Sequence, residues 1–462
     1  MKKKVFEKAL FIFRRDLRLD DNTGLLKALE QSNIVIPCFI FDPKQFSSTN
    51  KYKSFNALQF MVESLQNLEQ QLKKAHARLY LFAGNPADIV KQLIRQEKID
   101  AIFVNHDYTP YSKKRDIFIK KVCVPDQISF ISSPDLLLHE PEAVLKDNGT
   151  PYTIFTPFFK KALRLNVQQP QANKHKNYYT KPIKSSASSS IYTKISPTTN
   201  PTIFTHGGRT QSLKLLKQLS LFRNYPKERD YPALARTTGL SAHLKFGTCS
   251  IRETYAAIRQ TLGSTHPLIR QLYWRDFFTH IAYHFPRIFG HAFNKRFEHI
   301  PWHYDKKLFT LWCQGMTGFP LVDAGMRQLN VTGFMHNRVR MVVASFLTKD
   351  LHIDWRWGER YFATKLVDYD PSVNNGNWQW ASSTGCDAQP YFRIFNPWIQ
   401  QKKFDKNCMY IKQWIPELES LSPRAIHNWW KKQDQSVKYP TPIVDHMIES
   451  KKTKLAFAKT RK

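Results

Sequence analysis

The chain has 462 residues, with 70 Lys and Arg against 37 Asp and Glu, and a formal net charge of +33. The length favours two domains, and the charge indicates a polyanionic partner, most often nucleic acid; a solvated basic surface is the alternative. No apolar run approaches the ~20 residues of a membrane-spanning helix, so we expect no membrane association. The six cysteines form no C-x-x-C pair, which predicts no metal site, no disulfide framework and a cytoplasmic location.

Short β-rich runs alternate with helical patterns from about residue 8 to 135, for example the helical pattern of Tyr52–Lys74. The runs are ALFIF, NIVIPCFIF, RLYLF, DAIFVN and ISFI. This alternation predicts an α/β domain that is doubly wound around a parallel sheet. The run FIFRRDLRLDDN, at Phe11–Asn22, predicts the first strand and its turn, with charged residues that form structural pairs.

The chain then changes character. Residues 168–201 are rich in Pro, Ser, Thr and Lys, which predicts a linker that is mobile in part. Helical periodicity dominates from about residue 208, as in Pro267–Phe285 and Val322–Leu351, and all eleven tryptophans lie in this part. We therefore predict an α/β domain at 1–135, a linker at 136–207 and an all-α domain at 208–462. The basic tail from Lys451 is expected to be frayed.

Polar groups in the first part of the helical region could hold a diphosphate. A turn that opens a helix offers hydroxyls and backbone N–H groups to an anion, although helix capping without a ligand is the plainer interpretation. The residues concerned are Tyr225, Thr237, Thr238, Gly239, Leu240 and Ser241.

Two further patches place polar and aromatic side chains on shared helical faces. Gln271, Trp274, Arg275 and Phe278 follow the spacing i, i+3, i+4 and i+7, whereas a purely structural stripe would be aliphatic. In the run GFMHNRVRM, the residues Asn337, Arg340 and Met341 also share one face.

The run NNGNWQWASSTGCDAQPYFRIFNP, at Asn374–Pro397, is the most informative part of the chain. Asp368 and Asp370 precede it. Core packing rarely requires so many amides, hydroxyls and large aromatic rings together, because each buried polar group needs a partner. The mixture suits a cavity that stacks a flat polar ring system and hydrogen-bonds its edges.

This run resembles, over its full length, the flavin-binding core of the DNA photolyase/cryptochrome family, and the resemblance covers most of the chain. Phe11–Asn22 matches a second family signature. Within the family the chain looks nearest to the class I photolyases, which repair cyclobutane pyrimidine dimers. The resemblance implies an α/β domain followed by an all-α domain that binds FAD. It also implies an antenna chromophore, either methenyltetrahydrofolate or 8-hydroxy-5-deazaflavin, and the sequence does not choose between them.

The resemblance also assigns residues to FAD. Arg340 is expected to pair with Asp368, and Asp370 to accept a hydrogen bond from the edge of the flavin ring. Asn374 is expected beside the ring nitrogen that gains a proton on one-electron reduction. The full cofactor set is Tyr225, Thr237, Thr238, Gly239, Leu240, Ser241, Arg275, Asn337, Arg340, Asp368, Asp370 and Asn374.

The implied reaction is light-driven repair. Excited reduced FAD passes an electron to the dimer, the cyclobutane bonds split, and the electron returns. A flipped-out lesion would lie between Trp274 and Trp380, as base-flipping enzymes require, with Arg338 and Arg393 on the DNA phosphates. The remaining catalytic residues by resemblance are Gln271, Asn337 and Met341 at the lesion, and Trp302, Trp355 and Trp378 as an electron-hopping chain.

Some positions depart from the dimer photolyases. Gln271 stands where they usually have Glu, and Phe334 where a close relative often has Trp. The (6-4) photolyases carry a His-His pair at His336 and Asn337, and Asn337 breaks that pair. We therefore predict a monomeric enzyme that repairs cyclobutane dimers in double- or single-stranded UV-damaged DNA. A (6-4) photolyase, a blue-light receptor without repair activity and a non-catalytic nucleic-acid-binding protein are the alternatives.

Overall fold

The computed structural model describes residues 4–460, which form two compact units. The sheet unit contains the chain up to Asn200 together with Thr205–Leu221 and Thr238–Pro286. The helical unit contains Pro201–Phe204, Phe222–Thr237 and the chain from Arg287 onward. These units follow spatial contacts and cut across the predicted boundaries at residues 135 and 207, which remain a prediction from sequence pattern.

Five parallel strands form one sheet, with the order β3-β2-β1-β4-β5. The central strand β1 pairs with β2 through Leu10 and Ile36, and with β4 through Leu10 and Ile102. Because crossover helices connect parallel strands, this order confirms the predicted doubly wound α/β architecture. The strands are β1 Phe6–Phe13, β2 Ser32–Phe41, β3 Tyr80–Ala83, β4 Ala101–Asn105 and β5 Ser129–Ser133.

The remaining elements are helices, numbered here along the whole chain. The α-helices are α1 Thr23–Gln31, α2 Pro43–Phe46, α3 Phe55–Lys74, α4 Pro86–Glu97, α5 Pro110–Cys123, α6 Phe155–Ala162, α7 Ser190–Ile195, α8 Arg209–Lys217, α9 Tyr225–Glu228, α10 Ser241–Phe246, α11 Ile251–Leu262, α12 Pro267–His284, α13 Lys306–Gln314, α14 Pro320–Thr332, α15 Asn337–Lys349, α16 Trp355–Lys365, α17 Pro371–Ser382, α18 Pro397–Phe404, α19 Met409–Trp414, α20 Pro423–His427 and α21 His446–Lys459. Short 3₁₀ turns lie at Pro141–Ala143, Leu219–Phe222, Pro232–Leu234, Pro286–Ile288, Lys295–Phe297 and Pro416–Leu418.

The charged residues after β1 form structural pairs, as predicted. Arg18 is buried, and its guanidinium donates to both carboxylate oxygens of Asp135, at 2.7 and 2.8 Å. Arg252 bonds Asp135 and Asp21 from the other side. A buried guanidinium needs such a carboxylate, because an unpaired buried charge is strongly unfavourable.

The segment predicted as a linker is hydrogen-bonded to the sheet unit at several points, and its partial mobility stays a prediction. The Asp21 N–H donates to the carbonyl of Gln171, and the Val35 N–H to that of Asn177. Farther along, the Ala187 N–H donates to the carbonyl of Leu81. A Pro- and Ser-rich composition predicts low helix and strand content, but backbone N–H and C=O groups can still bond to strands nearby.

The structure confirms one predicted helical stretch, which it divides, and contradicts one prediction about the tail. The periodic stretch Val322–Leu351 is two helices, α14 and α15, because Gly333 at φ +68° ends α14. Glycine favours this left-handed conformation and commonly terminates helices. The basic tail is helical as α21 up to Lys459, with Phe457 buried, and Arg461 and Lys462 lie outside the described residues.

The helical unit has an aromatic core that contains Trp312, Trp355, Trp378 and Trp429. Within residues 4–460, no helix combines the length and the apolar composition needed to span a lipid bilayer.

Candidate functional site

A guanidinium and a carboxylate meet between α15 and the start of α17. Nη2 of Arg340 lies 3.1 Å from Oδ2 of Asp368, which confirms the predicted pair. Nε of Arg340 donates to the carbonyl of Met335 at 2.7 Å. The Arg340 side chain is partly exposed and is therefore held in place without being fully enclosed.

Asp370 begins α17 as its N-cap. One carboxylate oxygen accepts from the backbone N–H of Ser372 at 3.0 Å and of Val373 at 3.2 Å. The side chain is buried, and the cap fixes its direction. Its predicted bond to a flavin ring stays a prediction.

Asn374, one turn into α17, is held by Glu359 of α16. Nδ2 of Asn374 donates to the carbonyl of Glu359 at 3.0 Å and to its Oε1 at 3.2 Å. The amide oxygen accepts no bond from residues 4–460, so it is available to an N–H group of a ligand. That this acceptor, the carboxylate of Asp370 and the guanidinium of Arg340 lie at the polar edge of a flavin stays a prediction.

Burial raises the pKa of Glu359 from 4.5 to about 7, and the hydrogen bond from Asn374 only partly opposes this rise. Between these two values the folded protein holds a proton that the unfolded chain has lost. The charged carboxylate therefore reduces stability as pH rises through this window.

We expect Glu359→Gln to stabilise the fold by about 1–3 kcal/mol at pH 8 and by about 1 kcal/mol or less at pH 5. The Gln oxygen can still accept from Asn374, while the buried charge is removed. Urea unfolding at the two pH values measures the difference. Glu419→Gln, at an exposed glutamate, is the control. An equal gain at both pH values would show that Glu359 does not titrate in this range.

The amide-rich run after Asn374 is partly structural. Nδ2 of Asn375 donates to the carbonyl of Ile288, and Nε2 of Gln379 donates to the carbonyls of Ile288 and His291. Oε1 of Gln379 accepts from the Phe293 N–H. These two amides therefore satisfy backbone groups of a loop, a need that the sequence pattern alone does not reveal.

The three tryptophans of the predicted hopping chain are all in the helical unit and nearly buried. Trp378 is 2%, Trp355 1% and Trp302 8% exposed. The ring of Trp378 lies 4.9 Å from Phe362 and 6.2 Å from Trp312, both edge to face. The sequence assigned no role to Trp312. Only the ring contact with Trp378 identifies it as a neighbour of the predicted hopping chain.

On α12, the predicted polar face of the sheet unit is partly accessible. Gln271, Trp274 and Arg275 are half-buried, whereas Phe278 is buried. The indole of Trp274 stacks on Phe155 with centroids 3.6 Å apart and planes within 6°. This stacking fixes the plane of the indole.

Two other side chains of this unit refine the prediction. Phe155 was missed because its run TIFTPFF falls in the predicted linker, although three phenylalanines within six residues of a polar segment are a usable signal. Arg275 donates to the carbonyls of Leu136 and Leu244 and to Asp276, so the structure gives it bonds within its own unit. Its contact with flavin stays a prediction.

The turn before α10 does not cap its helix through a side chain. Leu240 occupies the N-cap position and makes no capping bond, while Ser241 is exposed and Gly239 has φ +67°. The plainer capping interpretation is therefore wrong. Tyr225 and Thr237 belong to the helical unit, and the other residues of this set to the sheet unit.

The candidate DNA-contacting residues of the helical unit differ in availability. Arg338 donates to Asp230 at 2.8 Å and lies over the ring of Phe404, whereas Arg393 is exposed. Asn337 is exposed, and the other two predicted residues, Met341 and Trp380, are half-buried.

Across residues 4–460 no three metal-ligating side chains cluster, and all six cysteines are free.

Comparison with known proteins places this geometry in a family. Residues 9–175 match the family described as DNA photolyase, and residues 268–459 match the FAD binding domain of DNA photolyase. The chain is 37% identical to the deoxyribodipyrimidine photo-lyase of a Synechococcus species, over 97% of this chain and 96% of that protein.

Two solved structures are similar over nearly the whole chain. An archaeal photolyase from Sulfolobus tokodaii, solved with two FAD molecules, has 42% identity and a TM-score of 0.89, covering 98% of this chain and 100% of its own. A bacterial class III photolyase from Agrobacterium tumefaciens has 34% identity and a TM-score of 0.91, covering 100% and 98%. The chain therefore belongs to the DNA photolyase family.

Proposed function

We propose that this protein is a deoxyribodipyrimidine photo-lyase, which uses light and FAD to split cyclobutane pyrimidine dimers in UV-damaged DNA. The observation that carries the proposal is Asn374, whose amide nitrogen is held by Glu359 while its oxygen is left for a ligand. The family match over residues 268–459 supports FAD as that ligand. The net charge of +33 supports DNA as the polyanion.

FAD, when bound and reduced, would supply the light-driven electron that opens the cyclobutane ring. The chain's own residues would bind the flavin and orient its ring. Asn374 would present its oxygen to a ring N–H, and Glu359 prevents the amide from flipping, because only the amide nitrogen can donate to it. Arg340, neutralised in part by Asp368, would bring a positive group to the ring edge.

On the substrate side, a damaged dinucleotide pairs poorly and is therefore less costly to flip out of the duplex than an intact one. Trp274, with its plane fixed by Phe155, would stack on the extruded bases. Gln271 makes no side-chain hydrogen bond with the residues described, so its amide is available to a thymine carbonyl.

The central test is the cofactor. Protein from flavin-replete cells should be coloured and should release FAD without covalent attachment on denaturation. Irradiation should then restore intact thymines in UV-damaged DNA. Protein without flavin absorbance that also fails to retain added FAD would overturn the proposal. Flavin without light-dependent repair would favour the blue-light receptor instead.

Arg393 should contribute to DNA binding through a phosphate. Arg393→Gln is expected to weaken binding to damaged and to undamaged DNA about equally. The slope of log affinity against log salt concentration should become shallower by about 0.9 on duplex DNA. Binding isotherms at several salt concentrations measure the slope. Arg338→Gln is the matched comparison, and a smaller change is expected because Arg338 already bonds Asp230. A loss confined to lesion-bearing DNA would place Arg393 inside the lesion pocket.

Gln271→Glu is expected to raise the repair yield for cyclobutane dimers severalfold, with little change in dimer-DNA affinity. A Glu carboxyl can supply a proton to a thymine carbonyl that gains charge, whereas the Gln amide cannot. The wild type should not repair (6-4) products, because Asn337 replaces a histidine.

The repair yield per photon is measured for both lesions in the wild type and in Gln271→Glu. Gln260→Glu, at an exposed glutamine, is the control. Wild-type (6-4) repair, or loss of dimer repair in the Glu variant, would contradict the assignment.

The finer assignments are also proposals. Membership of class I rests on Asn337 and Met341. An antenna chromophore, folate or deazaflavin, is expected because the family commonly carries a second chromophore. We further propose a monomer located in the cytoplasm.

A further inference from the structure

One buried amine holds both ends of the loop that carries Arg393. This loop, defined here as Ser383 to Arg393, leaves α17 and leads to α18. Nζ of Lys349, at the end of α15, donates to Oγ of Ser383 at 2.8 Å and to the carbonyl of Arg393 at 3.3 Å. The side chain of Lys349 is 0% exposed.

The loop has other anchors, most of them near Ser383. The N–H groups of Thr384 and Gly385 donate to the carbonyl of Gln379, and the carbonyl of Thr384 accepts from the Asn294 N–H. Ser383 adopts φ +65°, and the Gln389 N–H donates to the carbonyl of Trp380 at 3.3 Å. The ring of Tyr391 stacks on Phe457 with centroids 5.8 Å apart. Phe392 is 56% exposed, so the loop faces solvent beside Arg393.

A buried lysine at this position is not explained by stability. Burial lowers the pKa of Lys349 to about 7, which shows that its charged form is unfavourable here. Both of its hydrogen-bond partners are neutral oxygens, and the neighbouring Asp350 is bonded to His446. An apolar side chain of the same length would avoid the desolvation penalty.

We propose that Lys349 is a positioning residue, which closes the Ser383–Arg393 loop at its base and thereby holds Arg393 in place for DNA. The proposal rests on the proposed function only for the DNA part, since the closure of the loop can be measured without DNA or flavin. The hydroxyl and the carbonyl accept, and the amine donates to both, so one side chain joins two chain positions ten residues apart.

Lys349→Met tests the closure directly, because Met keeps the apolar stem and removes every donor. The hydroxyl of Thr453 can still donate to the backbone carbonyl of residue 349. We expect trypsin to cut the Arg393–Ile394 bond about tenfold faster in the variant, the change that loss of one or two hydrogen bonds implies. Mass spectrometry should find other cleavage sites unchanged, and the melting temperature should be unchanged or higher.

DNA binding gives the second readout. Lys349→Met and Arg393→Gln should each weaken binding to a duplex with one thymine dimer. The double variant should lose no more affinity than the single variant with the larger loss. Such non-additivity is expected when one residue acts through another. Lys412→Met, at a half-buried lysine of the same unit, is the control and should match the wild type.

Unchanged trypsin cleavage in Lys349→Met would overturn the proposal. So would a double variant whose loss of DNA affinity is the product of the two single losses. A lowered melting temperature with faster cleavage at all sites would also overturn it. If Lys349→Met does not fold, Ser383→Ala is the second test, because it removes one of the two contacts of Lys349. Trypsin should then cut faster at Arg393. A cleavage rate equal to that of the wild type would refute the proposal. Wild-type protein that binds neither FAD nor DNA would overturn the proposed function, while the trypsin result would still stand by itself.

Discussion

Trp378→Phe is expected to slow photoreduction of the oxidised flavin by external reductants at least about tenfold, equal to about 1.4 kcal/mol in the barrier. The indole of Trp378 is readily oxidised and would give an electron towards the flavin, whereas a phenyl ring is far harder to oxidise. Repair that starts from chemically reduced flavin should survive, because that electron goes to the lesion. Flavin absorbance under illumination with a thiol reductant measures the rate.

Trp429→Phe is the matched control, since Trp429 is also nearly fully buried in the helical unit. Its photoreduction should equal that of the wild type, and both variants should retain FAD. Unchanged photoreduction in Trp378→Phe would assign Trp378 to the core alone. Equal slowing in both variants would point to loosened packing and not to electron transfer.

Gly358→Ala is expected to destabilise the protein by about 1–3 kcal/mol, as overpacking of a close-packed core does. A Cβ at this position would overlap Cη2 of Trp378 and lie 2.5 Å from Cδ2 of Leu347. Glycine inside helix α16 is otherwise unfavourable by roughly 0.5–1 kcal/mol relative to Ala, so space for the indole is the reason for it. Urea unfolding measures the loss.

The double variant Gly358→Ala/Trp378→Phe separates packing from helix propensity. Phenylalanine lacks the indole atoms that the new methyl group would meet, so the cost of Gly358→Ala should fall in that background. The same cost in both backgrounds would mean that Leu347, and not Trp378, limits the space. A stabilising Gly358→Ala would show that the helix can shift.

Some parts of the site could be predicted because they lie in motifs that resemble a known family. The Arg340–Asp368 pair was expected from that resemblance at two motifs, and the structure contains it. The roles of Asn375 and Gln379 could not be predicted, because their partners are backbone carbonyls of a loop some 90 residues away in the chain. The same is true of Glu359, whose importance arises from burial beside Asn374.

Alternation of β-rich and helical runs predicted the parallel sheet from sequence alone, since strand and helix periods are local properties. Resemblance of the motifs to a known family identified the family and the residues expected at FAD. Only tertiary structure decided that the Pro- and Ser-rich segment is held to the sheet, that Phe155 fixes the plane of Trp274, and that Lys349 joins the two ends of a loop. Each of these depends on hydrogen bonds or ring contacts between residues far apart in the chain, which composition and periodicity do not encode.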